Sequence, residues 1–326
     1  MCTDDARAID AVITWVDGKA PEHLMKRAQY VSAAIAPLHE NAVNPHRWAD
    51  SDEIFYCLQS IENNAPWIRT IWIVADGRGP DLSRLSRDLR ARIRVVDHRE
   101  IFKGFEAALP TFNSLAIESL IWRIEGLSEY FLYFNDDVFL TAPLSPEDVF
   151  RGNKPVLRGK WVDNSHLTGD AVARSDPALF NRFMQMNAAQ MLGVDPCRIF
   201  AAAHVVHPMR RSVMADLFAH YPQAFAENIG HRFRDIRQFL PMGLHNHACI
   251  NRQGAVMHPH GDHLHIRSGQ GLDQDPQITA LLLQGIADTQ IKFLCVNDLP
   301  QLEQVVPDAR MRIAGAIGGT PSVPPA

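Results

Sequence analysis

Phe131-Leu132-Tyr133-Phe134-Asn135-Asp136-Asp137-Val138-Phe139-Leu140 is an apolar run broken at its centre by an amide and two adjacent carboxylates. The run predicts a buried strand of an α/β sheet whose end carries Asn135, Asp136 and Asp137. A carboxylate pair inside such a run is costly to bury unpaired, so a divalent cation or a basic substrate group is one compensation. Asn and Asp also close strands by binding their own backbone, and a plain turn is the alternative reading.

The segments before it alternate in kind. Ala11 to Val16 reads as a buried strand closed by Asp17-Gly18, followed by a helix from Glu22 to about Ile35 and a Pro/Asn-rich loop ending at Arg47. A second helix begins near Ser51, with Ile54, Leu58 and Ile61 at helical spacing, and stops at Asn63-Asn64-Ala65-Pro66. Thr70 to Ala75 is a strand ending in Asp76-Gly77, and Ile93 to Asp97 is another. Strand, helix and strand in turn, with short links, predict a mostly parallel sheet covered on both faces. Ligands of such sheets bind at the carboxyl ends of the strands. Asp17, Asp76 and the Asp136/Asp137 pair would all stand on that rim, although Asp-Gly is also a common turn. Trp15, next to Asp17, offers a flat ring that could cover a base.

With 326 residues, 46% of them apolar, the chain can bury a large core, and its formal charge of −5 gives no global reason to expect nucleic acid as a partner. The acidic start lacks the form of a signal peptide and no apolar run is long enough for a bilayer, so a cytoplasmic or at most membrane-peripheral protein is expected. Five scattered cysteines at 2, 57, 197, 249 and 295 argue against a disulfide framework or a structural zinc.

The second half is less regular. Trp161 to Ala173 reads as an irregular connection, Asp176 to Leu192 and Arg210 to His220 as helices, and Lys292-Phe293-Leu294-Cys295-Val296-Asn297-Asp298 as a strand running into Asn-Asp. One domain over 1–312 is expected, with an α/β half at 1–160, a mainly helical half at 161–312 and a flexible tail at 313–326. Among 15 histidines, His204 and His207 stand at an apparent helix entrance just before Arg210 and Arg211, and Arg232 and Arg234 form a second basic patch. Amides and guanidinium forks of this kind bind phosphate oxygens while an imidazole moves a proton. His258-Pro259-His260-Gly261-Asp262-His263-Leu264-His265 has metal-ligand chemistry, but its spacing fits no zinc helix and Pro259 and Gly261 indicate a loop.

Ile9 to Gly18, Arg47-Trp48-Ala49-Asp50-Ser51-Asp52-Glu53, Leu58 to Ile61 and Ala65 to Arg69 together resemble the opening blocks of the Stealth family. Leu109 to Ser114, Ala116 to Ser119, Arg123 to Ser128, Asn135 to Val138, Ala203 to His207 and Lys292 to Asp298 continue the resemblance in order over nearly the whole chain. It implies a fold like that of GT-A glycosyltransferases, in capsule or exopolysaccharide synthesis. It also implies transfer of a hexose 1-phosphate, such as GlcNAc-1-phosphate, from a UDP-sugar to a glycan hydroxyl, with release of UMP. Carried to matching positions, it implies Glu118, Asp137, His204 and Arg234 as the catalytic set, with Arg232 competing with Arg234 for the match. Together with the residue chemistry it assigns Asp136 and Asp137 to Mg²⁺ or Mn²⁺. Trp15, Asp17, Gly18, Arg47, Asn135, Arg210, Arg211 and Arg232 are the candidates for binding the donor. His204 and Glu118 remain alternatives for the base, and a glycosyltransferase that moves the sugar alone and releases UDP is the alternative reaction.

Overall fold

The computed structural model describes residues 8–34, 38, 51–170, 172–258, 261–266, 284–286 and 290–319. Its main sheet holds β1 (Ile9–Thr14), β2 (Ile71–Ala75), β3 (Ile93–Asp97), β4 (Tyr130–Asn135) and β10 (His207–Arg210) in the order β10-β4-β1-β2-β3. The four strands from the first half are mutually parallel, and β10 is added antiparallel on β4. The period of two explains why these strands read as continuous apolar runs, since both faces are covered. Ala11, Ile13, Ile71, Ile73, Leu132 and Phe134 join the core that holds Ile54, Leu58 and Ile61 of α2 (Glu53–Asn64). Val12, Val74, Phe131 and Tyr133 join a second core with α5 (Ser114–Glu118), α6 (Phe180–Met191), α7 (Arg211–His220), α8 (Pro222–Gly230) and α9 (Pro241–Asn251). Full burial of each large side chain stabilises by roughly 1.5–3 kcal/mol.

The run that predicts the buried strand is two strands. β4 ends at Asn135, Asp136 and Asp137 form a turn, and β5 (Val138–Leu140) leaves for a second sheet. There β5 pairs antiparallel with β13 (Phe293–Val296), which pairs parallel with β12 (His263–Ile266). The turn that the alternative reading expects is thus present at Asp136 and Asp137, and it falls at the carboxyl end of β4. The expected irregular stretch after Trp161 begins instead as β8 (Gly159–Asp163), hydrogen-bonded to β9 (Arg198–Ala202). Gly159 permits this pairing, because a Cβ there would lie 2.3 Å from the Ala201 carbonyl oxygen.

His207 and Arg210 belong to a strand rather than to a helix entrance, and α7 starts only at Arg211. This strand has a positional consequence. Since β10 runs against β4, with His207 beside Tyr133 and Arg210 beside Tyr130, the residues just before β10 lie at the carboxyl end of β4. The tail expectation also fails in part. α11 (Ala309–Ala316) buries Ile313, Ile317 is buried beyond it, and the Asn63 amide donates to the Ile317 carbonyl at 2.8 Å. Residues 320–326 lie outside the described residues, as does Arg47.

The opposite end of the sheet is closed by Asp10, which is fully buried at the start of β1. Its carboxylate accepts from Arg69 Nε (2.9 Å) and Nη2 (2.7 Å), Trp72 Nε1 (3.1 Å) and the Ser128 amide (2.9 Å). Asp10→Ala is expected to lower stability by roughly 2–4 kcal/mol, read by urea unfolding, because it strands the indole and amide donors. Burial also pushes His207 down to about 3, and His98, His245 and His247 down to about 4. Unfolded, each titrates near 6.5. The unfolded chain therefore binds extra protons between about pH 6.5 and 4, so stability is fully present above that window and falls as pH drops through it. Thermal midpoints measured from pH 8 to 4 should show this decline, and a flat profile would contradict neutral burial.

Candidate active site

Four segments meet at the carboxyl end of β4. The β4–β5 turn supplies Asp137, whose carbonyl accepts from the Val296 amide at 3.0 Å and whose Oδ2 accepts from Asn297 Nδ2 at 2.6 Å. The link between β9 and β10 supplies His204, whose Nε2 lies 3.9 Å from Asp137 Oδ1 and 3.4 Å from Asn135 Nδ2. β12 supplies His265, whose ring stacks on that of His204 at 5.0 Å between centroids. The second half thus delivers an imidazole to the carboxylate of the first half because β10 enters the sheet antiparallel.

Behind this pair stands Glu118, 3% exposed at the end of α5. Tyr133 Oη donates to Glu118 Oε1 at 3.1 Å and itself contacts Thr14 Oγ1 at 3.0 Å. Arg234 Nη2 donates to Ser114 Oγ at 2.6 Å, one helical turn before Glu118, and the Ser114 hydroxyl helps to hold the Glu118 carboxyl down. Burial raises the Glu118 carboxyl above its usual range, against the pull of the Arg234 charge and of its two hydroxyl partners. At Asp137 burial acts in the same direction but loses. The nearby imidazole of His204 and the Asn297 hydrogen bond, with the His265 charge, hold that carboxyl below the ordinary range. Two carboxyl groups pushed apart by their surroundings are a common mark of divided acid–base and electrostatic roles.

Arg234 is carried on a loop fixed by its neighbours. Phe233 stacks on Phe112 at 5.2 Å, the Phe112 amide donates to the Arg232 carbonyl at 2.8 Å, and Asn113 Nδ2 donates to the His231 carbonyl at 2.7 Å and to Gln238 Oε1 at 2.9 Å. Arg232 points elsewhere: its Nη2 donates to the carbonyls of Ala107 and Leu109, and its guanidinium lies over the Tyr30 ring. Of the two competing arginines, Arg234 faces Glu118.

Several donor candidates are not brought together. Arg210 pairs with Glu129 at 2.9 Å, and Arg211 donates to the carbonyls of Trp122 and Leu127. Both stand beside Tyr130, at the start of β4 rather than its end, about 16 Å along the strand from Asn135 at 3.3 Å per residue. Trp15 is only 8% exposed and packs into the core, so its ring is no open platform for a base. Gly18 is buried in the turn after β1, where Asp17 is exposed and accepts from the Lys19 amide. Asp76 contacts Lys26 at 3.5 Å, and Gly77 has a φ of +85°, as the turn reading requires. In the loop before β12, Asp262 is engaged by Arg158, His258 and His263.

Among the described residues, Asp137, His204 and Cys295 form a group able to hold a metal ion, with one ligand atom each within 4.8 Å of the others. Asp137 Oδ1 and Glu118 Oε2 are buried with no hydrogen-bond partner. The Asp137 oxygen therefore suits a hard cation such as Mg²⁺ or Mn²⁺, whereas the Cys295 thiol is a soft ligand that such an ion leaves aside. Tyr133, Ser114, Thr14, His265 and Asn297 carry no role in the sequence reading. The one signal they give is a polar side chain set in or beside an apolar strand, or a hydroxyl one turn before Glu118.

Residues 47–157 match the family model described as Stealth protein CR2, conserved region 2. An exopolysaccharide phosphotransferase of Streptomyces coelicolor is 46% identical over 304 residues, covering 90% of this chain and 47% of its own length. A second from the same organism is 36% identical, covering 76% and 41%. A capsular polysaccharide phosphotransferase of Haemophilus influenzae is 30% identical, covering 69% and 60%. The chain thus spans about half the length of these curated relatives. The solved galactosyltransferase LgtC, in complex with donor and acceptor sugar analogues, overlaps 97% of each chain at 12% identity with a TM-score of 0.48. No described helix is long and apolar enough to cross a membrane.

Arg234→Met removes the charge that offsets the burial of Glu118, so this carboxyl should move further up. Its protonated stretch, isolated by infrared difference against the corresponding Glu118→Gln protein, should persist to higher pH than in the wild type. Identical titration in the two backgrounds would show that Arg234 does not neutralise Glu118.

Proposed function

Because the chain belongs to the Stealth family, we propose that it transfers a sugar 1-phosphate, such as GlcNAc-1-phosphate, from a UDP-sugar to a hydroxyl of a glycan acceptor, releasing UMP, in capsule or exopolysaccharide synthesis. The observation that carries this reading is the convergence of Asp137, His204, Glu118 and Arg234 from separate parts of the chain on one end of β4. A carboxylate, an imidazole and a buried guanidinium are the groups that transfer of a charged phosphoryl centre requires.

The acceptor hydroxyl attacks the phosphorus that bears the sugar. A new O–P bond forms, the bond from that phosphorus to the bridging oxygen breaks, and the electron pair leaves on UMP. The C1–O bond of the sugar is untouched, so its anomeric configuration is kept. His204 takes the hydroxyl proton at Nε2, and Asp137 at 3.9 Å stabilises the imidazolium that results. Arg234, held by Ser114 and facing the charge of Glu118, draws charge from the phosphoryl oxygens. Asp137 Oδ1, with Asp136 and the donor diphosphate, would hold Mg²⁺ or Mn²⁺, which when bound supplies positive charge to the leaving nucleotide. Asn135 stays with the donor site, while Arg210 and Arg211 drop out. The setting is the cytoplasm or the inner membrane face, with no nucleic acid partner.

Incubation with UDP-GlcNAc, Mg²⁺ or Mn²⁺ and an oligosaccharide acceptor should release UMP. Release of UDP instead would make the chain a glycosyltransferase. Asp137→Asn and His204→Ala should each lower kcat by roughly 10²–10³-fold. Arg210→Ala should keep kcat within about threefold, because Arg210 lies at the far end of β4.

A further inference from the structure

Asp137 and His204 are both held by a pair of residues outside the four-residue set. The Asp137 carboxylate can only accept, so Asn297 turns its amide N–H toward Oδ2 at 2.6 Å, with Cys295 Sγ at 3.7 Å from the same nitrogen. The Asn297 side-chain oxygen then faces His265 Nε2 at 2.6 Å. Two acceptors cannot share that contact, so His265 carries a hydrogen on Nε2. The same His265 ring lies on the His204 ring at 5.0 Å, with 25° between their planes. A continuous line of contacts therefore runs from the Asp137 carboxylate through Asn297 and His265 to His204. It leaves Oδ1 as the one Asp137 oxygen without a partner.

From this arrangement we infer that Asn297 and His265 are positioning residues for the transfer reaction. Asn297 fixes the Asp137 carboxylate so that Oδ1 alone is presented to a cation or to the imidazolium. His265 fixes both the orientation of the Asn297 amide and the plane of His204. Both are assigned to act through Asp137 and His204 rather than on the reacting atoms. The inference rests on the phosphotransferase reading only for the identity of the reaction. Removing such an outer partner generally costs 10–100-fold in activity or metal affinity.

The test uses Asn297→Ala, His265→Ala, their double variant and His265→Gln, which keeps an N–H for Asn297 but not the stacked ring. Each is measured for kcat and donor KM with UDP-GlcNAc, and for Mn²⁺ binding by electron paramagnetic resonance without donor. Each single alanine variant should lose about 10–100-fold in kcat with donor KM within about threefold, and should bind Mn²⁺ about tenfold more weakly. The double variant should be no worse than the worse single one, since both act through one line of contacts. His265→Gln should fall between wild type and His265→Ala. Wild-type kcat and Mn²⁺ affinity in a single variant with unchanged thermal midpoint would overturn the inference, as would losses that multiply in the double variant. If the wild type releases UDP, the reaction assignment fails while the same comparison on the UDP-forming rate still decides the role. If it turns over no donor, Mn²⁺ binding decides it.

Discussion

Asp137 is the junction on which the candidate site depends. Its main chain is tied to β13, one carboxylate oxygen is tied to Asn297, and the other is left beside His204. That arrangement needs a chain that leaves the main sheet at the Asp136–Asp137 turn and enters a second sheet at β5. It also needs β10 to enter the main sheet in the reverse sense, since a parallel edge strand would carry His204 to the wrong end of β4. The apolar register of the sheet thus determines where a carboxylate and an imidazole meet.

A second arrangement supports the first from behind. Asn113 caps α5 by accepting from the Leu115 amide, and its own amide grips the His231 carbonyl and Gln238. Gln238 and Phe239 are bound by Asn228, whose amide donates to Ser119 at the end of the same helix. A closed set of buried amides and hydroxyls therefore fixes the distance between the helix that carries Glu118 and the loop that carries Arg234. Networks of this kind are rigid when every member is satisfied.

Much of this was legible in the sequence, for physical reasons. Strands buried on both faces write themselves as apolar runs, so β1, β2, β3 and β4 could be read directly, and α2 showed its helical spacing. The resemblance named Glu118, Asp137, His204 and Arg234, and the structure brings them together. What failed did so because pairing is not local. Arg210 and Arg211 looked like phosphate ligands by proximity to His207, but only the antiparallel register reveals that they stand beside Tyr130. Trp15 looked like an open platform because nothing in its neighbours in sequence tells that its ring turns into the core. Asn297 and His265 each lie in a recognisable stretch of sequence, yet their contact forms only because β12 and β13 lie side by side.

The two ends of the central sheet are finished differently. At the amino end Asp10 is saturated with four donor contacts, whereas at the carboxyl end Asp137 Oδ1 and Glu118 Oε2 are left buried and unmatched. The molecule therefore carries a standing energetic debt at its reactive rim and a reserve at its base. A compound that fills the rim must raise the melting point as it binds, whatever its chemistry. Thermostabilisation of such a scaffold should come from the base, because any residue swap that relieves the rim also blunts what the rim is for.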